Sequence, residues 1–170
     1  MKSFIICVVM IFSYHTANCD DIPEKFQKLL DRGKLTFEQP KGMKLTKVKS
    51  DSLMKYDIAY KDAENDFEIR INILPLDSSD KYKENLDILN SAKEGTYQAI
   101  DVRPELFNSG KAGAAEFEFD KKYGDGYKYG SVLFIYKEKC AVVYIFYLGA
   151  KKEILTPLVI DNFFLVKFKK

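Results

Sequence analysis

The chain has 170 residues, with 27 Lys plus Arg against 25 Asp plus Glu, one His, three Cys, no Trp and 46% hydrophobic residues. That length and apolar fraction describe one compact domain with an ordinary core, and they exclude collagen, a coiled coil, a disulfide framework and a disordered chain. The near balance of charge gives no reason to expect nucleic acid, whose phosphates call for a clustered excess of Lys and Arg.

Lys2 precedes an unbroken apolar run at 4–12, and a polar stretch at 13–18 leads to Cys19. This is the pattern of an export signal. The run is too short for a stable bilayer anchor, which takes about 20 apolar residues. A buried first strand or helix is the competing reading. Two outcomes are open at Cys19. A peptidase that wants small residues can cut after it, reading Ala17, Asn18 and Cys19 as small-x-small. Alternatively, Thr16 to Cys19 resembles the lipobox of bacterial lipoproteins, in which the cysteine becomes the lipidated first residue. The domains are therefore a signal at 1–18 and one folded unit at 19–170, exported, secreted or periplasmic, touching a membrane only through a lipid on Cys19.

Removing 1–18 takes Lys2 from the basic residues and none of the acidic ones, which leaves a charge of about +1, and it takes His15, the only histidine. A mature chain without imidazole cannot build a Ser-His-Asp or Cys-His nucleophile, an HExxH zinc site or any other histidine-ligated metal. Cys140 is then the one interior thiol, and at the head of an apolar run it reads as a small buried filler. No cofactor motif is present, and the expectation is a non-enzymatic chain.

The predicted elements follow in order. Residues 20–34 form a short helix, with Pro23 just inside the start, Phe26, Leu29 and Leu30 on one face, and Gly33 after the last turn. Leu35 and Phe37 begin the strands, and Met43, Leu45 and Val48 suggest another. Lys41, Lys44, Lys47, Lys49 and Lys55 read as lysines guarding an exposed sheet edge. Met54 to Tyr60 and Phe67 to Ile73 alternate apolar and polar residues across a polar turn, a hairpin of two half-buried strands. After Pro75, a helix runs to about Glu94, capped by Ser79 or Asp80; capping explains 77–80 better than a cation site does. Residues 96–111 read as an irregular connection. Phe117 and Phe119 alternate with Glu116, Glu118 and Asp120, and the glycine-rich turn 123–127 leads into 129–136, where near-continuous apolar runs at 132–136 and 141–148 read as central strands. A last helix spans about 151–164, or starts at Pro157 with Thr156 as its cap, burying Leu158, Ile160, Phe163 and Phe164. Strands apolar on both sides need covering on both faces. The expected class is α+β: one central, mainly antiparallel sheet flanked by helices.

The order of strings "LTFEQPKGMK", "FEIRINILPLD", a helix, "AAEFEFDKKYGDGYKYG", "SVLFIYKEKCAVVYIFYL" and a terminal helix resembles the PsbP-like fold across nearly the whole mature chain. It also looks like small exported bacterial lipoproteins of this arrangement. The resemblance implies an α/β/α sandwich and a binding or accessory role in the cell envelope, and it carries over no functional residue.

Two constellations remain. Glu116, Glu118 and Asp120 project from one face of their strand, and Glu68 with Arg70 from the corresponding face of another; neighbouring strands would pair carboxylates for acid/base work or a cation, while cross-strand ion pairs on a wet face explain the same residues. A carboxylate-based metal binder or hydrolase through Glu116 and Glu118 is the alternative function. Tyr123, Tyr127 and Tyr129 around three glycines make the candidate interaction surface for a protein or envelope partner, with residues 107–113 as a mobile rim. Glycine at positive φ in a hairpin turn is the plainer account of the same stretch.

Overall fold

A computed structural model describes residues 21–51, 53–77 and 87–170. The leader and Cys19, and the cap and cation readings at Ser79 and Asp80, lie outside them. Helix α1 (Glu24–Arg32) opens the described chain and is followed by β1 (Leu35–Phe37), β2 (Lys44–Thr46), β3 (Ile58–Asp62) and β4 (Phe67–Pro75). Then come β5 (Gln98–Ile100), β6 (Lys111–Tyr123), β7 (Tyr127–Lys137), β8 (Ala141–Gly149), α2 (Lys152–Asp161) and β9 (Val166–Phe168). Seven strands form one antiparallel sheet in the order β2-β3-β4-β8-β7-β6-β5, and β1 pairs with β9 separately. The most apolar strand, β8, is buried along its whole length between β4 and β7. The terminal strand β2 carries Lys44 and is flanked by Lys41, Lys47 and Lys49, which agrees with lysines guarding an edge.

Alternation sorts the side chains onto two faces. On one, Ile69, Ile71, Leu133, Val143 and Ile145 pack with Phe26 and Leu30 of α1 and with Leu155 and Val159 of α2. Burying a Phe or Leu contributes about 1.5–3 kcal/mol relative to exposure. Phe26 and Leu30 therefore hold a nine-residue helix that is too short to persist alone. On the other face, Phe117, Val132, Tyr144 and Phe146 are covered by Met54, Tyr56 and Ile88, which stand outside the sheet strands.

This distribution corrects the expected α/β/α sandwich. Both α-helices found among the described residues sit on the same face, and the second face is closed by a loop and a short 3-10 helix, Asp87–Ser91. The domain is mainly β. The helix expected to run to Glu94 is not α-helical from Asp87 onward, because Ala92 bridges to Phe119 and the Lys93 amide donates to the Glu118 carbonyl at 2.6 Å. Residues 96–111 hold β5 and a 3-10 helix, Pro104–Phe107, rather than an irregular connection. Phe107 is fully buried against Phe163 and Phe164, and Asn108 Nδ2 donates to the Phe168 carbonyl at 2.9 Å, so 107–113 is a bonded segment and not a rim.

Two further differences have local causes. Helix α2 keeps Pro157 inside it and buries Leu155 and Val159, which leaves Ile160 exposed; it stops at Asp161 because the chain turns to pair β9 with β1. Strand β3 starts at Ile58, later than Met54, because the Asp57 carboxylate accepts from the Ile73 amide at 2.8 Å and turns Met54 and Tyr56 across the second face. Cys140 is buried, as expected of a filler.

Close packing is tightest at Gly130 on β7. A Cβ there would lie 2.7 Å from Phe117 Cζ and 3.3 Å from Phe119 Cε2, and both rings are buried. Gly130→Ala is expected to lower stability by about 1–3 kcal/mol, read from the urea unfolding midpoint. An unchanged midpoint would contradict the close approach.

Candidate functional site

The second sheet face carries a buried charge. Arg70 and Glu68 alternate on β4 with the isoleucines of the first face, and their side chains are each only 6% exposed. A guanidinium so placed needs fixed partners. Its Nε lies 2.6 Å from Glu68 Oε1, and its Nη1 lies 2.7 Å from Asp51 Oδ2 and 3.1 Å from the Tyr123 hydroxyl. The rings of Tyr56 and Tyr123 flank it, with centroids 4.7 and 5.5 Å from Cζ, distances at which the negative ring face attracts a cation.

The carboxylates are satisfied in turn. Tyr127 donates its hydroxyl to Glu68 Oε2 at 2.8 Å, Tyr123 donates to Asp51 Oδ2, and Asp51 Oδ1 accepts from the amides of Leu53 and Met54. Burial alone would raise the Asp51 carboxyl, but the Tyr123 hydroxyl, these two amides and Arg70 together hold it below the usual range. Burial pushes the phenols of Tyr123 and Tyr127 up, reinforced by Asp51 and Glu68 respectively, so both stay protonated donors. Outside this layer Lys61, 2.9 Å from Asp125, ties the hairpin tip to β3 and holds the Asp125 carboxyl low. The cluster clasps Asp51, Leu53, Met54 and Tyr56 and the β6–β7 hairpin onto β4.

The glycine and tyrosine turn therefore serves the interior. Gly124 and Gly126 do take positive φ, as a tight hairpin requires. Tyr127 is 1% exposed and cannot present a surface, and Tyr123 is half-buried on Arg70. Tyr129 stands apart from both. A register shift in β6 between Glu118 and Tyr123 places Tyr127 with the second-face cluster while Tyr129 packs on the α2 side. Strict alternation along β7 would put 127 and 129 together; the bulge separates them.

The carboxylates separate in the same way. Glu68 belongs to the clasp, whereas Glu118 pairs across from Tyr129, itself opposite Gly149, on the α2 side, and β8 and β7 lie between β4 and β6. Glu68 therefore does not join Glu116 and Glu118. Those two share a groove with Tyr129: a cavity of about 330 Å³ between β5, β6, β7 and the start of α2, to which Gln98, Lys152 and Thr156 also contribute. Glu118 is engaged by Lys128 at 3.2 Å and Lys93 at 3.8 Å. Glu116 is half-buried and makes no ion pair among the described residues. Among the described residues no group of three or more His, Cys, Asp or Glu is placed to hold a metal ion.

Sequence reasoning missed Asp51 and Tyr56. The short signal that Asp51 offers is its Asx turn, an aspartate accepting from amides two and three residues on, but nothing local names Arg70 as its partner. Compared with protein-family models, curated proteins and solved structures, the chain matches none of them.

Because Asp51 titrates below its unfolded value of about 3.9, its contribution to stability is complete above that pH and is lost as pH falls through the lower folded value. Asp51→Asn is expected to reduce the unfolding free energy at pH 7 by about 1–3 kcal/mol and to make the acid limb of stability against pH shallower. Equal acid limbs in urea titrations of the two proteins would contradict the clasp.

Proposed function

We propose that this chain is an exported, non-enzymatic binding module of the cell envelope, and that the groove between α2 and the β5–β6–β7 end of the sheet receives its ligand. The observation that carries this reading is the gathering of Glu116, Glu118 and Tyr129 around one cavity at the lower end of small-molecule pocket volumes. The leader-like residues 1–18 support export, and a chain that loses His15 with them lacks the usual general base at neutral pH.

The lining selects a polar ligand. Glu116 accepts hydrogen bonds, Gln98 and Thr156 both donate and accept, Lys152 donates, and Tyr129 adds an aromatic face. A small neutral molecule rich in hydroxyl groups matches that set. Use of Glu116 and Glu118 as a divalent-cation site or an acid/base pair is less well supported, because Lys93 and Lys128 place two ammonium groups on Glu118, where they repel a cation.

Titration with neutral sugars, followed by amide NMR, is expected to give saturable shifts at Glu116, Tyr129 and Lys152, weakened about tenfold or more by Glu116→Gln. Shifts that survive the substitution, or none at all, would remove the groove from the account; calorimetric calcium binding abolished by Glu118→Gln would favour the carboxylate reading.

Mass spectrometry of the protein from its own host is expected to show residues 1–18 removed, with a diacylglyceryl mass on Cys19 marking a membrane-anchored form. A chain still beginning at Met1 would contradict export.

A further inference from the structure

The sheet ends on two terminal strands that the sequence treats in opposite ways. Strand β2 contains Lys44 and lies among Lys41, Lys47 and Lys49. Strand β5 is Gln98, Ala99 and Ile100, all exposed and all uncharged, preceded by Tyr97 at 52% exposure. A terminal strand directs unpaired backbone N–H and C=O groups outward, and proteins block that template with lysine, proline or a bulge. Strand β5 has none of these: it pairs without irregularity with Ala114–Glu116 of β6. Among the described residues no hydrogen bond reaches its outer side.

Beside this edge lies an apolar groove of about 210 Å³, on the face opposite to the Glu116 cavity, lined by Tyr97, Ala99, Gly113, Ala115, Val132 and Phe134. Its small residues leave room over Val132 and Phe134. Asp101 stands at the end of the groove and makes no ion pair among the described residues. Ile100, 38% exposed, adds a further apolar contact to the groove.

We propose that β5 is a docking edge for an extended segment of a partner protein, which adds to the sheet as an eighth strand. Main-chain hydrogen bonds supply the attachment, an apolar side chain of the partner enters the groove, and a Lys or Arg next to it meets Asp101. Charge complementarity favours a partner of different sequence over a second copy. Two β5 strands paired antiparallel about Ala99 would set Asp101 opposite Tyr97 and supply no cation. The surface is independent of the Glu116 groove.

The probe is a synthetic peptide, acetyl-Lys-Val-Thr-Val-Thr-Val-amide, titrated into the labelled protein. Saturable binding is expected, with amide protection at Gln98, Ala99 and Ile100. Alanine-to-lysine exchange at an exposed position leaves the fold in place, so Ala99→Lys is expected to keep the circular dichroism spectrum and weaken binding about tenfold or more. A peptide with proline for its central valine should weaken in the same way. Asp101→Asn should weaken the lysine peptide and leave its glutamine counterpart unchanged. No saturable binding at millimolar peptide, or equal binding by Ala99→Lys, would overturn the proposal. So would a dimer of the free protein, seen in analytical ultracentrifugation and dissolved by Ala99→Lys, since the occupant would then be a second copy.

Discussion

A guanidinium withdrawn from water has to be met by fixed negative charge and hydrogen-bond acceptors, or the fold that buries it does not persist. Arg70 imposes that condition on one whole face of the sheet. Meeting it requires Glu68 two residues earlier on the same strand, Asp51 from a loop, and the Tyr123 hydroxyl from the hairpin that follows β6. Each partner is itself fixed by a further bond, so three segments far apart in sequence share one arrangement. Such a cluster adds less net stability than its short distances suggest, because desolvation offsets most of the attraction. Its effect is to specify which loop conformation closes the second face.

That constraint decides where a ligand surface can lie. With Tyr123 and Tyr127 turned onto Arg70 and Glu68, the hairpin tip has no aromatic platform to offer, and the bulge in β6 leaves Tyr129 on the helix side beside Glu116 and Glu118. The same stretch of tyrosines and glycines thus serves two faces. One closes over a charge, and the other opens into a polar groove at the start of α2. The far edge of the sheet completes the division, since β5 borders this groove through Gln98 and the apolar groove through Ala99.

Much of the sheet was legible in the sequence because period-two alternation is a local signal. Phe67 to Ile73, Val132 to Tyr136 and Ala141 to Leu148 all lie in strands, and Gly124 and Gly126 supply the turn. What failed was whatever depends on partners distant in the chain. Nothing near Val166 announces pairing with Phe37, so apolar spacing alone carries the last helix past its end at Asp161. Met54 and Tyr56 continue the alternation of Ile58 and Tyr60 on paper, yet the Asp57 carboxylate bound to the Ile73 amide sends them to the opposite face. Charges at every second position read as a wet face, and for Glu68 and Arg70 that reading was reversed by an aspartate nineteen residues upstream of the arginine.

The most direct measurement is the exchange of the Arg70 Nε–H proton with solvent, followed by NMR on the intact protein at neutral pH. A clasp closed by Glu68, Asp51 and the two tyrosine rings predicts a discrete resonance that persists where exposed arginine signals have vanished. Loss of the Arg70 signal along with those of the surface arginines would mean that the charge is open to water and that the hairpin is free of it.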